Sequence, residues 1–280
     1  MRLNSKFLKA SGLAATVALA VTIAPALAPI VIAQDGGVKV SGKSIFRKVV
    51  SAETIEQQAG LQYEQMTRQA FQKRALLDAN HPQVIRLRKI ARDLLPHANR
   101  FNERAKDWKW EVNLLNSPQI NAFCMPGGKI AFFAGILEKL QLTDDEVAMV
   151  MGHEIGHALW EHARERAGKG MALNAGRVLA GLVFGQLGDL VGAGAGSLAN
   201  LKFSRNDETE ADLIGMELAA RAGYDPRSGI TLWEKMSKAN KGAPPQWLST
   251  HPSGATRIDT IQKHLPEVMP LFEKAKTTRG

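Results

Sequence analysis

The chain has 280 residues, 45% of them hydrophobic, with a formal charge of +9 at pH 7 and a single cysteine. That is enough apolar material for one domain with a sizeable core. Cys124 alone excludes an intramolecular disulfide, and a lone Cys in an apolar strand reads as packing, not as a nucleophile. The basic residues are scattered, which excludes a nucleic-acid module, although Arg86, Arg88, Lys89 and Arg92 share one predicted helix. Such a run reads as a solvated face, with weak attraction for anionic phospholipid at the periphery of a membrane.

At the front, Arg2, Lys6 and Lys9 precede an apolar run from Gly12 to Ile23, and Val31-Ile32-Ala33 offers a small-residue cleavage site. The expectation is a signal peptide over 1–33, export to the periplasm, and a single domain over 34–280. Ala10 to Ala33 is long enough to span a bilayer, but Pro25 and Pro29 weaken it as an anchor.

Gly37 to Ser44 reads G-V-K-V-S-G-K-S, a formal match to a phosphate-cradling loop. No buried strand precedes it, so chance resemblance is the better reading. Ala52 to Asp78 reads as a long amphipathic helix and Gln83 to Asn99 as a second, divided by Asn80-His81-Pro82. His81 and His97, near helix ends, read as ordinary polar residues. Trp108 to Leu115, Ala122-Phe123 and Lys129 to Phe133, with a turn at Pro126-Gly127-Gly128, predict a small sheet. One edge of it could hold an extended peptide by strand addition, or the sheet could simply pack on the helices.

Thr143-Asp144-Asp145-Glu146 has the form of a capping box, and Val147, Val150, Met151, Ile155, Ala158 and Leu159 follow at helical spacing. Within that helix lies His153-Glu154-Ile155-Gly156-His157, an H-E-x-x-H pattern. Two imidazoles four residues apart share one face, about 6 Å apart in rise, and can grip one zinc ion. Glu154 then points beside the metal, where a general base must sit.

From Gly168 to Leu201 the chain is rich in Gly and Ala, with Lys169, Arg177 and Asp189 its only charges. It reads as close-packed helices or a flap over the cleft. Asn206 to Arg221 returns to helical periodicity with Gly223 as its cap, and further helices are expected over Pro226 to Ala239 and Ser253 to His264.

Two histidines do not complete a zinc site. Position 163 is Ala, where a third histidine at short spacing would stand, and His162 is half a turn out of phase with His153 and should face away. A carboxylate from a later helix remains. Glu208 and Asp212 are four apart, so one can ligate while the other accepts the outer N–H of a ligating histidine.

H-E-I-G-H, then S-R-N-D-E-T-E-A-D-L-I-G from Ser204, then H-P-S-G-A-T-R-I from His251, resemble the zinc metallopeptidase family of HtpX and the CAAX prenyl protease. N-A-F-C-M-P-G-G-K-I from Asn121 resembles its edge-strand segment, and the likeness runs from about Trp108 to Leu265. Within the family the chain is most similar to soluble periplasmic members of the BepA kind.

The resemblance implies an α+β, mainly helical, gluzincin-type domain with a small β-sheet beside the H-E-x-x-H helix. Helices over 52–100 would precede a catalytic core over 108–265. It implies one Zn2+ per chain on His153, His157 and Glu208, Glu154 as base and Asp212 behind a ligand, with Glu210 ranked below Glu208. His251 and Arg257 would lie near the metal, to stabilise an oxyanion or cap the open position. The family's membrane helices and a tetratricopeptide-like tail are missing, which argues against CAAX processing. The implied substrates are misfolded or misassembled envelope proteins. The alternative is a chaperone-like assembly factor with proteolysis minor or suppressed. A purely structural zinc site is disfavoured, because such sites are closed by Cys and His.

Overall fold

The computed structural model describes residues 36–172, 203–239, 245–251 and 255–279. The expected signal peptide and most of the Gly/Ala-rich stretch lie outside them. Among the described residues, no helix is long and apolar enough to cross a membrane.

Three strands, β1 (Glu111–Leu115), β2 (Ala122–Met125) and β3 (Lys129–Phe133), form a sheet in the order β1-β3-β2. β1 runs parallel to β3 and β2 antiparallel to it, so β2 is an edge. Side chains alternate between two cores, as the pleat requires. Leu115, Phe123, Met125, Ala131 and Phe133 pack with Ala59, Tyr63, Met66 and Ala70 of α1 (Ala52–Gln72). Val112, Leu114, Ala122, Ile130 and Phe132 enter the main core on the other face. There they meet α2 (Pro82–Leu94) and the central helix α4 (Asp144–Leu159). The sheet thus packs on helices on both faces and, among the described residues, leaves one edge of β2 unpaired.

The expected capping box forms: Thr143 Oγ1 accepts from the Glu146 N–H, and the Glu146 carboxylate accepts from the Thr143 N–H at 2.8 Å. Such a cap contributes about 0.5–2 kcal/mol and fixes where α4 begins, and hence the phase of its histidines. α3 (Ala134–Leu140) links the sheet to it. Beyond α4 come α5 (His162–Ala172), α6 (Arg205–Arg221), α7 (Ser228–Ala239), α8 (Gln246–Thr250) and α9 (Ala255–Arg279).

Two helix ends show what glycine signals and what it does not. α6 closes at Gly223, φ +74°, with the Tyr224 N–H on the Ala219 carbonyl. α1 closes with the same bonding at Arg74, φ +55°, and the Ala75 N–H on the Ala70 carbonyl, so the helix expected to reach Asp78 stops at Gln72. The next residues run beside β1, with the Leu77 N–H on the Leu114 carbonyl. α9 extends past His264 through Pro266 and Pro270, because Val268 and Phe272 are buried and packing outweighs the two lost backbone bonds. His81 caps α2 by accepting from the Gln83 N–H.

The G-V-K-V-S-G-K-S stretch is an extended strap, not a phosphate cradle. Val38 and Val40 are buried in the main core, the Val38 N–H donates to Glu217, and Lys43 donates to the Leu159 carbonyl.

Candidate metal centre

α4 and α6 cross backbone to backbone at glycines of both helices. A Cβ on Gly152 or Gly156 would come within 2.8 and 2.9 Å of the Gly215 and Ala211 carbonyl oxygens, and one on Gly215 within 2.7 Å of the His153 nitrogen. Backbone-to-backbone approach of this kind needs glycine. It sets the Glu208 and Asp212 end of α6 directly against the two histidines of α4.

The result is a convergence of four donors: His153, His157, Glu208 and His251, all buried, with their ligating atoms within 4.8 Å of one another. The His153 and His157 Nε2 atoms stand 3.0 Å apart, and His251 Nδ1 lies 3.2 Å from His153 Nε2 and 3.0 Å from a Glu208 oxygen. Glu208 oxygens are 3.6 Å from each Nε2 of the pair. Zinc bonds of about 2.0–2.1 Å in a tetrahedron separate ligand atoms by about 3.3 Å, so this donor set fits the ion. Three ring nitrogens aimed at one point also cannot all be satisfied by hydrogen bonds among themselves.

Electrostatics prepares the donors. Burial, reinforced by the surrounding His153, His162, His251 and Arg257, pushes the His157 imidazole well below its ordinary pKa and keeps it neutral with a free lone pair. Burial alone would raise Glu208, but His251, His153 and Arg257 outweigh it and hold the carboxyl below its usual value. Asp212 is likewise depressed, with Arg257 and His153 overcoming burial. His251 goes the other way: burial opposes its charge, but Glu154 and Glu208 raise it.

Each expected residue has a definite place. Asp212 sits 2.9 Å from His153 Nδ1, the position of a carboxylate fixing a ligand's tautomer. Arg257 donates to Asp212 at 2.5 Å and to Glu208, and its guanidinium lies 4.0 Å over the Trp233 ring. It is buried behind the ligands and does not line the cleft, so the geometry does not offer it to a substrate oxyanion. Glu154 belongs to α4 yet is no part of the ligand set. Its Oε1 accepts from the Trp247 indole N–H at 2.6 Å and lies 3.6 Å from His251 Nε2.

Glu154, His157 and His251 line a cleft whose other wall is β2, from Ala122 through Cys124 to Pro126. Burial, with the charge of Glu154 adding to it, raises the Cys124 thiol well above its usual pKa, so it is a protonated wall group.

Three neighbours escape sequence reading. Trp247 has no motif, although it stands four residues before His251. Phe203 stacks on His157 with ring centroids 3.9 Å apart, and it falls next to the stretch read as a flap. The third is His162, which does not face away. α4 stops at Leu159 and Glu161 adopts φ +61°, which turns the chain and brings His162 Nδ1 to 2.9 Å from His157 Nδ1. A phase counted along an unbroken helix fails across that reversal.

A family model described as Peptidase family M48 matches residues 84–265. The chain belongs to that family. Among curated relatives, the mitochondrial metalloendopeptidase OMA1 of Arabidopsis thaliana is 45% identical over 174 residues, 61% of this chain and 35% of that protein. Metalloprotease LoiP of Escherichia coli is 30% identical over 197 residues, 69% of this chain and 75% of that one. The beta-barrel assembly-enhancing protease of Escherichia coli is 29% identical over 171 residues, 56% and 35% of the two chains. The chain spans between 34% and 64% of the length of four curated OMA1 relatives. The buried cluster of His153, His157, Glu208 and His251 fits a zinc site, as that zinc-dependent family requires, and the mainly helical domain with a three-stranded sheet agrees with the family expectation.

Proposed function

We propose that the chain is a zinc metalloendopeptidase of the cell envelope that hydrolyses unfolded or misassembled proteins. The observation that carries it is Glu154, a buried carboxylate one residue from a ligand, excluded from the ligand set and facing the cleft. His153, His157 and Glu208 would hold zinc, which would supply Lewis acidity at the site. Glu154 would take a proton from the water that attacks the peptide carbonyl and deliver it to the leaving amine. The Trp247 indole N–H donates to Oε1 of Glu154 and so orients its carboxylate. The free edge of β2 would hold the substrate as an added strand, its backbone groups pairing without regard to side chains. That suits an enzyme reading unfolded chain rather than sequence.

His251 would supply a fourth donor at this site. As such it would cap the site at rest and would have to move for water and peptide to enter. Arg257 acts through Glu208 and Asp212 as a positioning residue. Envelope quality control, a periplasmic location after export with residues 1–33 as a signal peptide, and a peripheral contact with membrane rest on the likeness to LoiP and the beta-barrel assembly-enhancing protease, and on the front of the sequence. The chaperone-like alternative draws its support from the His251 cap, which would suppress proteolysis.

The test is hydrolysis of unfolded casein by purified residues 34–280, with and without a chelator, and restored by zinc. Chelator-sensitive cleavage is expected. Cleavage indifferent to chelator would overturn the zinc mechanism, and zinc-loaded protein without cleavage would favour the chaperone reading. In cells, loss of the protein should leave misassembled outer-membrane proteins undegraded; their normal turnover would remove the envelope role.

A further inference from the structure

His153 and His157 are both ligands, but only His153 has the carboxylate partner that the sequence promises. Behind His157 stands His162, 2% exposed, at the start of α5. His162 Nδ1 is 2.9 Å from His157 Nδ1, and its Nε2 is 2.9 Å from Glu210 Oε2. The other oxygen of Glu210 accepts from Ser41 in the N-terminal strap.

We infer that His162 and Glu210 form an outer relay that fixes the tautomer and the ring orientation of His157, the part Asp212 plays for His153. The inference rests on the zinc reading of the site. Proton positions follow from the ligand role. For His157 Nε2 to offer a lone pair to the metal, its Nδ1 must carry the hydrogen and donate it. The group receiving it is His162 Nδ1, which must then be unprotonated, so His162 carries its hydrogen on Nε2. Glu210 lies where that hydrogen points. Each donor in the row meets one acceptor with none left over, and no other assignment of a neutral pair leaves His157 Nε2 free. The partners of metal-bound histidines hold the ring in line and raise ligand basicity, and losing one typically weakens metal binding 10- to 100-fold.

Asp207 lies near this pair, and His162, Asp207 and Glu210 have the composition of a second cation site. The hydrogen bonds argue otherwise. Both nitrogens of His162 are engaged, and an Asp207 oxygen already accepts from the Ser204 N–H at the cap of α6. Glu210 thus differs in role from Glu208, though both sit on α6: one ligates, the other steadies a ligand at one remove.

The experiment is zinc affinity by competition with a chelator, together with the visible spectrum of cobalt-substituted protein, on wild type, His162→Leu and His162→Asn. Asn places Oδ1 about where Nδ1 stood and can still accept from His157, whereas Leu cannot. Expected are one zinc per wild-type chain, binding weaker by about 10- to 100-fold with an altered cobalt spectrum in His162→Leu, and recovery of most of that loss in His162→Asn. Melting of the chelated proteins should be similar for the two variants, which separates the relay from packing. Should His162→Leu fail to fold, Glu210→Ala at a half-buried position carries the test, with weaker zinc binding expected. Wild-type affinity and cobalt spectrum in His162→Leu, or in Glu210→Ala if only that variant folds, overturn the relay. So does a second zinc per wild-type chain that His162→Leu loses. Wild-type protein that binds no zinc sinks the metal reading itself, an outcome distinct from either.

Discussion

The two histidines of α4 proposed as zinc ligands lie one turn apart yet are supported in opposite ways. His153 is backed by Asp212 and Arg257, a charge pair that is buried and further held by Glu208 and the Trp233 ring. His157 is backed by another imidazole and a half-buried carboxylate tied to the N-terminal strap. The first arrangement places ion pairing in the core, where removing one partner strands the rest. The second is a row of hydrogen bonds leading toward the surface, where each further link matters less. One half of the site should therefore be brittle and the other graded.

The comparison breaks most visibly at Arg257. Arg257→Ala leaves Glu208 and Asp212 buried without their cation, which by the usual cost of such a removal destabilises the fold by about 3–5 kcal/mol. Thermal melting of the metal-free variant should show it, and a midpoint equal to wild type would remove the brittle half of the comparison. His251→Ala comes next, since His251 touches both halves. Opening the fourth corner should raise casein hydrolysis several-fold while zinc binds less tightly. A fall in hydrolysis of about 10²-fold or more would instead make His251 an oxyanion donor. The smallest effect belongs to Ser41→Ala, which removes one donor at the far end of the His157 row. Zinc affinity should weaken by about two- to threefold; a loss of about 10-fold or more, the size expected for a direct partner of a ligand, would contradict a graded side.

Much of this was legible in sequence because local chemistry marks it. The capping box at Thr143 and Glu146 fixes the start of α4, and the spacing of His153, Glu154 and His157 on it needs nothing further. Glu208 and Asp212 follow from the same helical repeat, and Gly223 announces the end of α6. What stayed hidden depends on tertiary context. Arg74 and Glu161 adopt the left-handed conformation that glycine usually signals, so the end of α1 and the reversal that returns His162 to the site carry no sequence mark. Trp247 reaches Glu154 only because the folded chain brings α8 over α4, and Arg257 reads as a cleft residue until its carboxylate partners are seen. The glycines at 152, 156 and 215 are legible only in retrospect, as the condition for α6 to lie against α4.

The most direct test of the central claim is Glu154→Gln beside wild type, with casein hydrolysis and zinc content measured in both. Among the described residues, Glu154 is the buried carboxylate that lines the cleft and stands outside the proposed ligand set. The variant should hold as much zinc as wild type and lose hydrolysis by about 10²–10⁴-fold, the usual contribution of a positioned general base. Full hydrolysis with full zinc would contradict the assignment of Glu154 as the base, and with it the mechanism built on this site.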